Sequence, residues 1–250
     1  MKQVAVETKV LSENQRVAND LRERFRRDRA LVLNLISAPG SGKTSLLECT
    51  LERFDPATRI AVLTGDIQTD NDARRIARAG FPVKQVTTGG TCHLDARMIE
   101  KHLDGWPADG FDILFIENVG NLVCPSSYDL GEAAKIVLLS VAEGEDKPLK
   151  YPSIFLRSAL CLISKIDLLP YVPFSVELAR QNALTVHPQM EIVEISSASG
   201  HGMELWMQWI LRQRMNILGG SSGNDGDQTP AFQPPGRKRP DSLKIRQAGS

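Results

Sequence analysis

Residues 31–54, LVLNLISAPGSGKTSLLECTLERF, carry an unbroken apolar run into a glycine- and serine-rich turn that opens an amphipathic helix. Few segments constrain a fold more tightly. A buried strand must end where the turn begins, and the turn must leave its backbone N–H groups facing outward at a helix N-terminus. That is an anion site, because the unpaired N–H groups and the helix dipole both favour negative charge. The turn fits G-x-x-x-x-G-K-[S/T] except at its first position, where Ser37 stands for glycine. Pro39, Gly40, Ser41, Gly42, Lys43, Thr44 and Ser45 are therefore the expected phosphate contacts. Gly40 and Gly42 let the backbone curl, Lys43 reaches the outer phosphates, and the Thr44 hydroxyl can ligate Mg²⁺. A plain glycine turn would have no use for Lys-Thr at the start of a helix.

The rest of the chain repeats the first half of that pattern. Apolar runs recur at Ile60–Leu63, Val83–Val86, Asp112–Ile116, Ile136–Val141, Leu160–Ile163 and Ile192–Ile195. Helix-like stretches at 43–53, 70–79, 94–103, 175–184 and 202–215 fall between several of them. Short apolar strands separated by helices predict an α/β fold whose mostly parallel sheet, of about seven strands, is covered by helices. Residues 30–218 form the expected nucleotide-binding domain. Residues 1–29 read as an N-terminal helical segment, with Val17, Leu21 and Phe25 on one face, Ser12 and Gln15 at capping-box spacing, and arginines crowding the C-terminal turns. From 219 to 250 the chain turns Gly/Ser- and then Pro/Arg-rich, a composition expected to stay disordered.

Carboxylates should lie at the ends of neighbouring strands. Glu117 closes the run 112–116, and Asp66 holds a comparable place after Ile60–Leu63. With Lys43 they are the expected catalytic residues, and with Thr44 the expected Mg²⁺ ligands. Asp70 or Asp72 is expected to cap the helix that follows. Glu117-Asn118-Val119-Gly120 resembles the Asp-x-x-Gly switch of GTPases, in which the acid orients metal-bound water and the glycine N–H senses the γ-phosphate. Ser164-Lys165-Ile166-Asp167 resembles the guanine-reading Asn-Lys-x-Asp motif, with the Asp167 carboxylate facing base N–H donors and the Lys165 stem on the base plane. Ser164 replaces an amide that would brace the loop. Ser197-Ala198, at the end of the next strand, resembles the element whose backbone contacts the guanine oxygen.

A third constellation has metal-ligand chemistry. Cys92 and His93 follow one buried strand, and Cys124 lies in the loop after Glu117. In a parallel α/β sheet such loops gather at the carboxyl edge, where the nucleotide also sits. Two thiolates and an imidazole suit Zn²⁺ or Ni²⁺ better than Mg²⁺ and leave a fourth position for solvent or another subunit. A purely structural reading of these residues stays open at this point, since cysteine is often simply buried. Cys49 and Cys161 are expected in the core, and His102, His187 and His201 carry no ligand spacing.

SAPGSGKT, GDIQTDNDARRI, TGGTCHLDA, IENVGNLVCP, SVAEGEDKPLKYP and ISKIDLLPY, in that order, resemble the HypB family of hydrogenase nickel-incorporation GTPases over residues 30–217. The resemblance implies a P-loop NTPase that hydrolyses GTP to GDP and works as a nucleotide-favoured homodimer. It implies delivery of nickel to [NiFe] hydrogenase with a HypA-type nickel chaperone and the hydrogenase large subunit as partners. It also implies that Cys92, His93 and Cys124 form a Ni²⁺ or Zn²⁺ site at the subunit interface. The N-terminal Cys-x-x-Cys-Gly-Cys motif and the His-rich stretch of some members are missing, so no high-affinity N-terminal site and no storage role are expected. Two alternatives differ in class: a urease-type nickel accessory GTPase, whose motif is typically Cys-Pro-His, and an ATP-dependent small-molecule ligase or kinase with structural cysteines. A formal net charge of +0 offers no global attraction to nucleic acid or an anionic membrane. The opening residues hold no apolar leader and no apolar run spans a bilayer, so a cytoplasmic location is expected.

Overall fold

The computed structural model describes residues 2–66 and 71–219, with the side chains of 2–9, 66 and 71 outside that description. In chain order the elements are α1 (Lys2–Arg27), β1 (Leu31–Ser37), α2 (Lys43–Leu51), β2 (Ile60–Asp66), α3 (Asn71–Ala77), β3 (Val83–Thr87) and α4 (Ala96–His102). There follow β4 (Ile113–Glu117), β5 (Ala134–Ser140), α5 (Lys147–Lys150), α6 (Pro152–Arg157), β6 (Leu160–Ser164), α7 (Val176–Val186), β7 (Glu191–Ile195) and α8 (Met203–Gly219). Two short 3₁₀ turns, Cys124–Ser126 and Ile166–Tyr171, sit in the loops after β4 and β6.

Among the described residues seven strands form one sheet in the order β3-β2-β4-β1-β5-β6-β7. Every pairing in it is parallel. This is the P-loop NTPase fold, and β1 lies at its centre between β4 and β5. All seven strands therefore end at one edge, and among the described residues the loops after β1, β3, β4, β6 and β7 meet there.

Strand alternation sets the layers. Leu31, Leu33 and Leu35 of β1 pack with α2 and with the stacked indoles of Trp206 and Trp209 of α8. Val32 faces the opposite cluster with α1 and α4, and Ile36 a third cluster with α6 and α7. Between those two clusters β1 places Asn34, fully buried.

In α1 Val17, Ala18, Leu21 and Phe25 are buried, as the helical spacing requires. The helix starts at Lys2, so Ser12 lies inside it and the Ser12/Gln15 pair is not a terminal capping box. The short helices α5 and α6, each begun by a proline in its first turn, are absent from the sequence reading. At 4 and 6 residues they are too short to show a 3.6-residue period. Helix α8 runs to Gly219, and the tail expected over 219–250 otherwise lies outside the described residues. No described helix is long and apolar enough to cross a membrane.

Candidate functional site

Helix α2 opens with Gly42 as its N-cap residue at φ 98°, a left-handed conformation that glycine adopts without penalty. Gly40 is left-handed as well. Ser37, the departure from the glycine pattern, closes β1, where an extended backbone needs no glycine. Its hydroxyl accepts from Lys43 Nζ at 2.9 Å. Lys43 is itself buried, and burial lowers its pKa against the pull of Glu117, Asp72 and Glu143. A cavity of about 460 Å³ opens over this turn, lined by Pro39, Gly40, Gly42, Lys43, Thr44 and Ser45.

Glu117 ends β4 at the wall of that cavity, in register with Leu35 and Thr64. Thr44 Oγ1 donates to Glu117 Oε1 at 2.7 Å. Burial pushes the Glu117 carboxyl up to about 7, against the lowering effect of Lys43 and Thr44. Its Oε2 is buried with no hydrogen-bond donor among the described residues. A buried carboxylate oxygen beside a threonine hydroxyl suits a hard divalent cation, which would satisfy the orphaned acceptor. Asp66 ends β2 at the same edge, and its side chain lies outside the described residues. Gly120 also lines the cavity, and a Cβ there would lie 2.9 Å from Pro39 Cα, so the two loops touch only because residue 120 is glycine.

Two further residues line this cavity, Asp72 and Arg75 of α3. Asp72 lies in the first turn of α3 and also walls the cavity, while Asp70, the other expected cap, lies outside the described residues. Arg75 spans to Glu48 Oε2 at 2.6 Å and to Ser45 Oγ at 3.2 Å. No motif flagged Arg75, because its direction depends on how α3 packs on α2.

A second cavity of about 260 Å³ shares Gly42, Ser45 and Lys165 with the first and continues to Ser41, Asp167, Ser197 and Ala198. Lys165 is left-handed at φ 61° and lays its stem across Gly42. Asp167 Oδ1 accepts from the buried Ser196 hydroxyl at 2.5 Å. Ser164 corrects an expectation: its hydroxyl donates to the Ser41 carbonyl at 2.8 Å, so this loop is braced without an amide. Cys49 is half-buried against the core cluster beneath α2, in line with expectation, and also donates its thiol to the Ser197 carbonyl at 3.3 Å. Cys161 is buried in β6, its thiol pushed up to about 12 by burial.

The loops after β3 and β4 bring Cys92, His93 and Cys124 together, their ligand atoms all within 4.8 Å of one another. Thr88 and Thr91 close the Gly89-Gly90 turn by reciprocal hydroxyl–carbonyl bonds and aim the Cys-His pair outward. Asn121 donates to the Cys92 carbonyl and accepts from Val123 N–H, tying the two loops. The His93 ring stacks on Tyr128 at 3.8 Å, and burial lowers its pKa, so the imidazole is neutral and available as a ligand. Cys92 Sγ and Cys124 Sγ lie 2.7 Å apart, a contact that raises the Cys124 pKa together with burial. The donor set fits a borderline-soft cation.

The nucleotide-binding domain of the CobW/HypB/UreG family matches residues 31–194. Hydrogenase maturation factor HypB of Escherichia coli strain K12 is 54% identical over 209 residues, which cover 84% of this chain and 72% of that protein. The crystal structure of Helicobacter pylori HypB in complex with nickel superposes with a TM-score of 0.77 at 40% identity, over 82% of this chain and 96% of that one. The Archaeoglobus fulgidus hydrogenase maturation factor HypB gives 0.76 at 37% identity, over 81% and 99%.

Proposed function

This chain belongs to the CobW/HypB/UreG family, among its HypB members, and we propose that it is a GTP-hydrolysing accessory protein for nickel insertion into [NiFe] hydrogenase. One observation carries the reading. Cys92, His93 and Cys124 converge on loops of the same sheet edge that holds Lys43, Thr44 and Glu117. A soft-metal donor set beside a phosphate site suits a protein whose cargo binding answers to its nucleotide.

In this reading the N–H groups around Gly42 and the Lys43 ammonium hold the β- and γ-phosphates. Thr44, Asp66 and Glu117 would hold Mg²⁺, which when bound neutralises charge developing on the phosphate oxygens. Gly120 presents its amide beside the γ-phosphate. Asp167 accepts from the guanine N–H donors, Lys165 covers the base plane, and Ser197 and Ala198 bound the base cavity. Nickel is the cargo, held by Cys92, His93 and Cys124. Three ligands per chain leave a position for solvent or a second copy, and membership of the family favours a nucleotide-driven homodimer. The partners are a HypA-type nickel chaperone and the hydrogenase large subunit, and the location is cytoplasmic.

The test is nickel stoichiometry and solution mass of the full chain with GDP and with a non-hydrolysable GTP analogue, beside hydrolysis rates for GTP and ATP. Preference for GTP with stoichiometric nickel supports the reading. Preference for ATP with no stoichiometric binding of nickel or zinc overturns it in favour of a small-molecule ligase or kinase.

A further inference from the structure

Strand β1 reads LVLNLIS, and its single amide lies at the centre of a sheet buried on both faces. A buried amide has to find partners, because leaving one unpaired in a dry interior is strongly unfavourable. Asn34 finds two. Its Oδ1 accepts from Asn118 Nδ2 at 3.2 Å, and its Nδ2 donates to Glu132 Oε1 at 3.1 Å. Asn118 directly follows Glu117, stands two residues before Gly120, and is 1% exposed. Its Oδ1 accepts from its neighbour's amide, Val119 N–H, at 3.0 Å, and from Leu94 N–H at 3.3 Å. Two backbone N–H donors meeting one atom identify that atom as the oxygen.

Leu94 is the residue after His93. From Asn118 the polar chain continues through Asn34 to Glu132, whose Oε2 accepts from Leu130 N–H at 2.6 Å. Lys135 pairs with Glu132 at 2.6 Å and donates to the Tyr128 carbonyl at 2.7 Å. The Tyr128 ring stacks on His93. The circuit therefore leaves the His93 loop at Leu94 and returns to it at the imidazole face, through the residue beside Glu117. Buried hydrogen-bonded networks of this kind hold discrete arrangements and do not deform gradually.

We infer that Asn118 is the positioning residue through which the γ-phosphate loop and the His93 loop set each other's geometry. The inference rests on the nucleotide and cargo assignments above. A shift of the Gly120 segment carries the Asn118 backbone with it. The Leu94 N–H must then follow or lose a partner in a dry interior. Either outcome changes where His93 stands relative to Cys92 and Cys124. Coupling is reciprocal, so a cation that fixes His93 favours one arrangement of the Glu117–Gly120 segment.

The experiment uses the full-length chain, Ni²⁺ as the probe, and calorimetry together with thiolate-to-nickel charge-transfer absorption. Nickel affinity is measured with GDP and with a non-hydrolysable GTP analogue, and the readout is the ratio of the two affinities. Neither absolute affinity serves, because Asn118 also borders the phosphate cavity. Wild type is expected to show a ratio within the roughly 5- to 150-fold range of linked sites, and Asn118→Ala a ratio within about two-fold of unity. Asn118→Ser keeps a polar atom in the slot but falls short of Leu94 N–H. It is expected to collapse the ratio as well, and it carries the test if the alanine variant does not fold. A wild-type ratio retained in the folded variants overturns the role of Asn118 while leaving the cargo reading intact. A wild type that binds no nickel, or binds it identically in both states, overturns that reading and this inference with it.

Discussion

Lys165 Nζ donates to the Gly40 carbonyl at 2.6 Å, so the loop that follows β6 is fastened to the phosphate loop. Ser164 makes a second tie to the Ser41 carbonyl. In the proposed function, phosphate grip and base reading would thus share one support, and a base that fails to seat would disturb the turn that holds the phosphates. Specificity is then felt in hydrolysis as well as in binding.

In the proposed function Asp167 supplies the charge that would discriminate the base. Asp167→Asn is expected to weaken GTP binding by about 10- to 100-fold, the worth of roughly 1.5–3 kcal/mol for hydrogen bonds to a charged acceptor. Xanthosine triphosphate, with an oxygen in place of the exocyclic amine, should gain. Fluorescent-analogue displacement measures both, and unchanged GTP affinity in the folded variant would remove Asp167 from base reading.

Lys43 and Thr44 lie in the first turn of α2 with their side chains turned to the phosphate cavity. Lys43→Ala and Thr44→Ala are expected to abolish GTP turnover, the first by losing charge on the phosphates and the second by losing a cation ligand. Circular dichroism should show both folded. Wild-type turnover in either variant contradicts the assignment of this loop.

Glu117 gives the nucleotide-free protein a pH signature. Its carboxyl is raised by burial from an ordinary 4.5 to about 7. The stability associated with the protonated form is therefore complete below about pH 4.5 and lost as pH rises through 7. Glu117→Gln carries no such penalty. Without Mg²⁺ its melting temperature should match wild type at pH 4.5 and exceed it at pH 8 by on the order of 5–10 °C. With Mg²⁺ and nucleotide the order should reverse, because the carboxylate then has its cation. Parallel melting curves at both pH values would refute a buried carboxylate.

The sheet was legible because β1 to β7 are short apolar runs between turns and helices, and each motif lies in a strand–loop–helix context that local spacing reports. The metal trio was legible because parallel loops share an edge. What escaped had long-range causes. Asn34, Asn118 and Glu132 are 84 and 98 residues apart in their pairs, so a polar residue inside β1 was the lone signal and its partners had none. Arg75 and Asp72 reach the cavity only through the docking of α3. Ser12 and Gln15 have capping spacing by coincidence, inside a helix that begins at Lys2.

Leu168 and Val172 bear on assembly. With Leu169 and Phe174 they are half-buried against the cluster beneath α6 and α7, while Tyr171 beside them is 82% exposed. Packing accounts for one side of this 3₁₀ turn and leaves the other presented to solvent. If it forms the homodimer contact, Tyr171→Glu should halve the mass seen by sedimentation with GTP binding retained. Val172→Glu should do the same at a cost in stability, and Leu168→Glu should also weaken GTP binding, because Leu168 lines the base cavity. An unaltered dimer in all three would place the contact elsewhere.

Cys92, His93 and Cys124 yield the sharpest chemical prediction. Both cysteines are free thiols, and a cation must displace their protons to bind the sulfurs. Nickel binding should therefore release protons and weaken as pH falls below the range in which both thiols can be ionised. Cys92→Ala and Cys124→Ala should each abolish the thiolate-to-nickel charge-transfer band. His93→Ala should leave a weaker band at shifted energy, since both sulfurs remain and one nitrogen donor is gone. GTP affinity measured without nickel should survive in all three, because none of these side chains lines the phosphate or base cavity. Calorimetry in two buffers of different ionisation enthalpy counts the protons. Uptake of nickel without proton release, or a charge-transfer band that persists in both cysteine variants, would place the ion on other ligands.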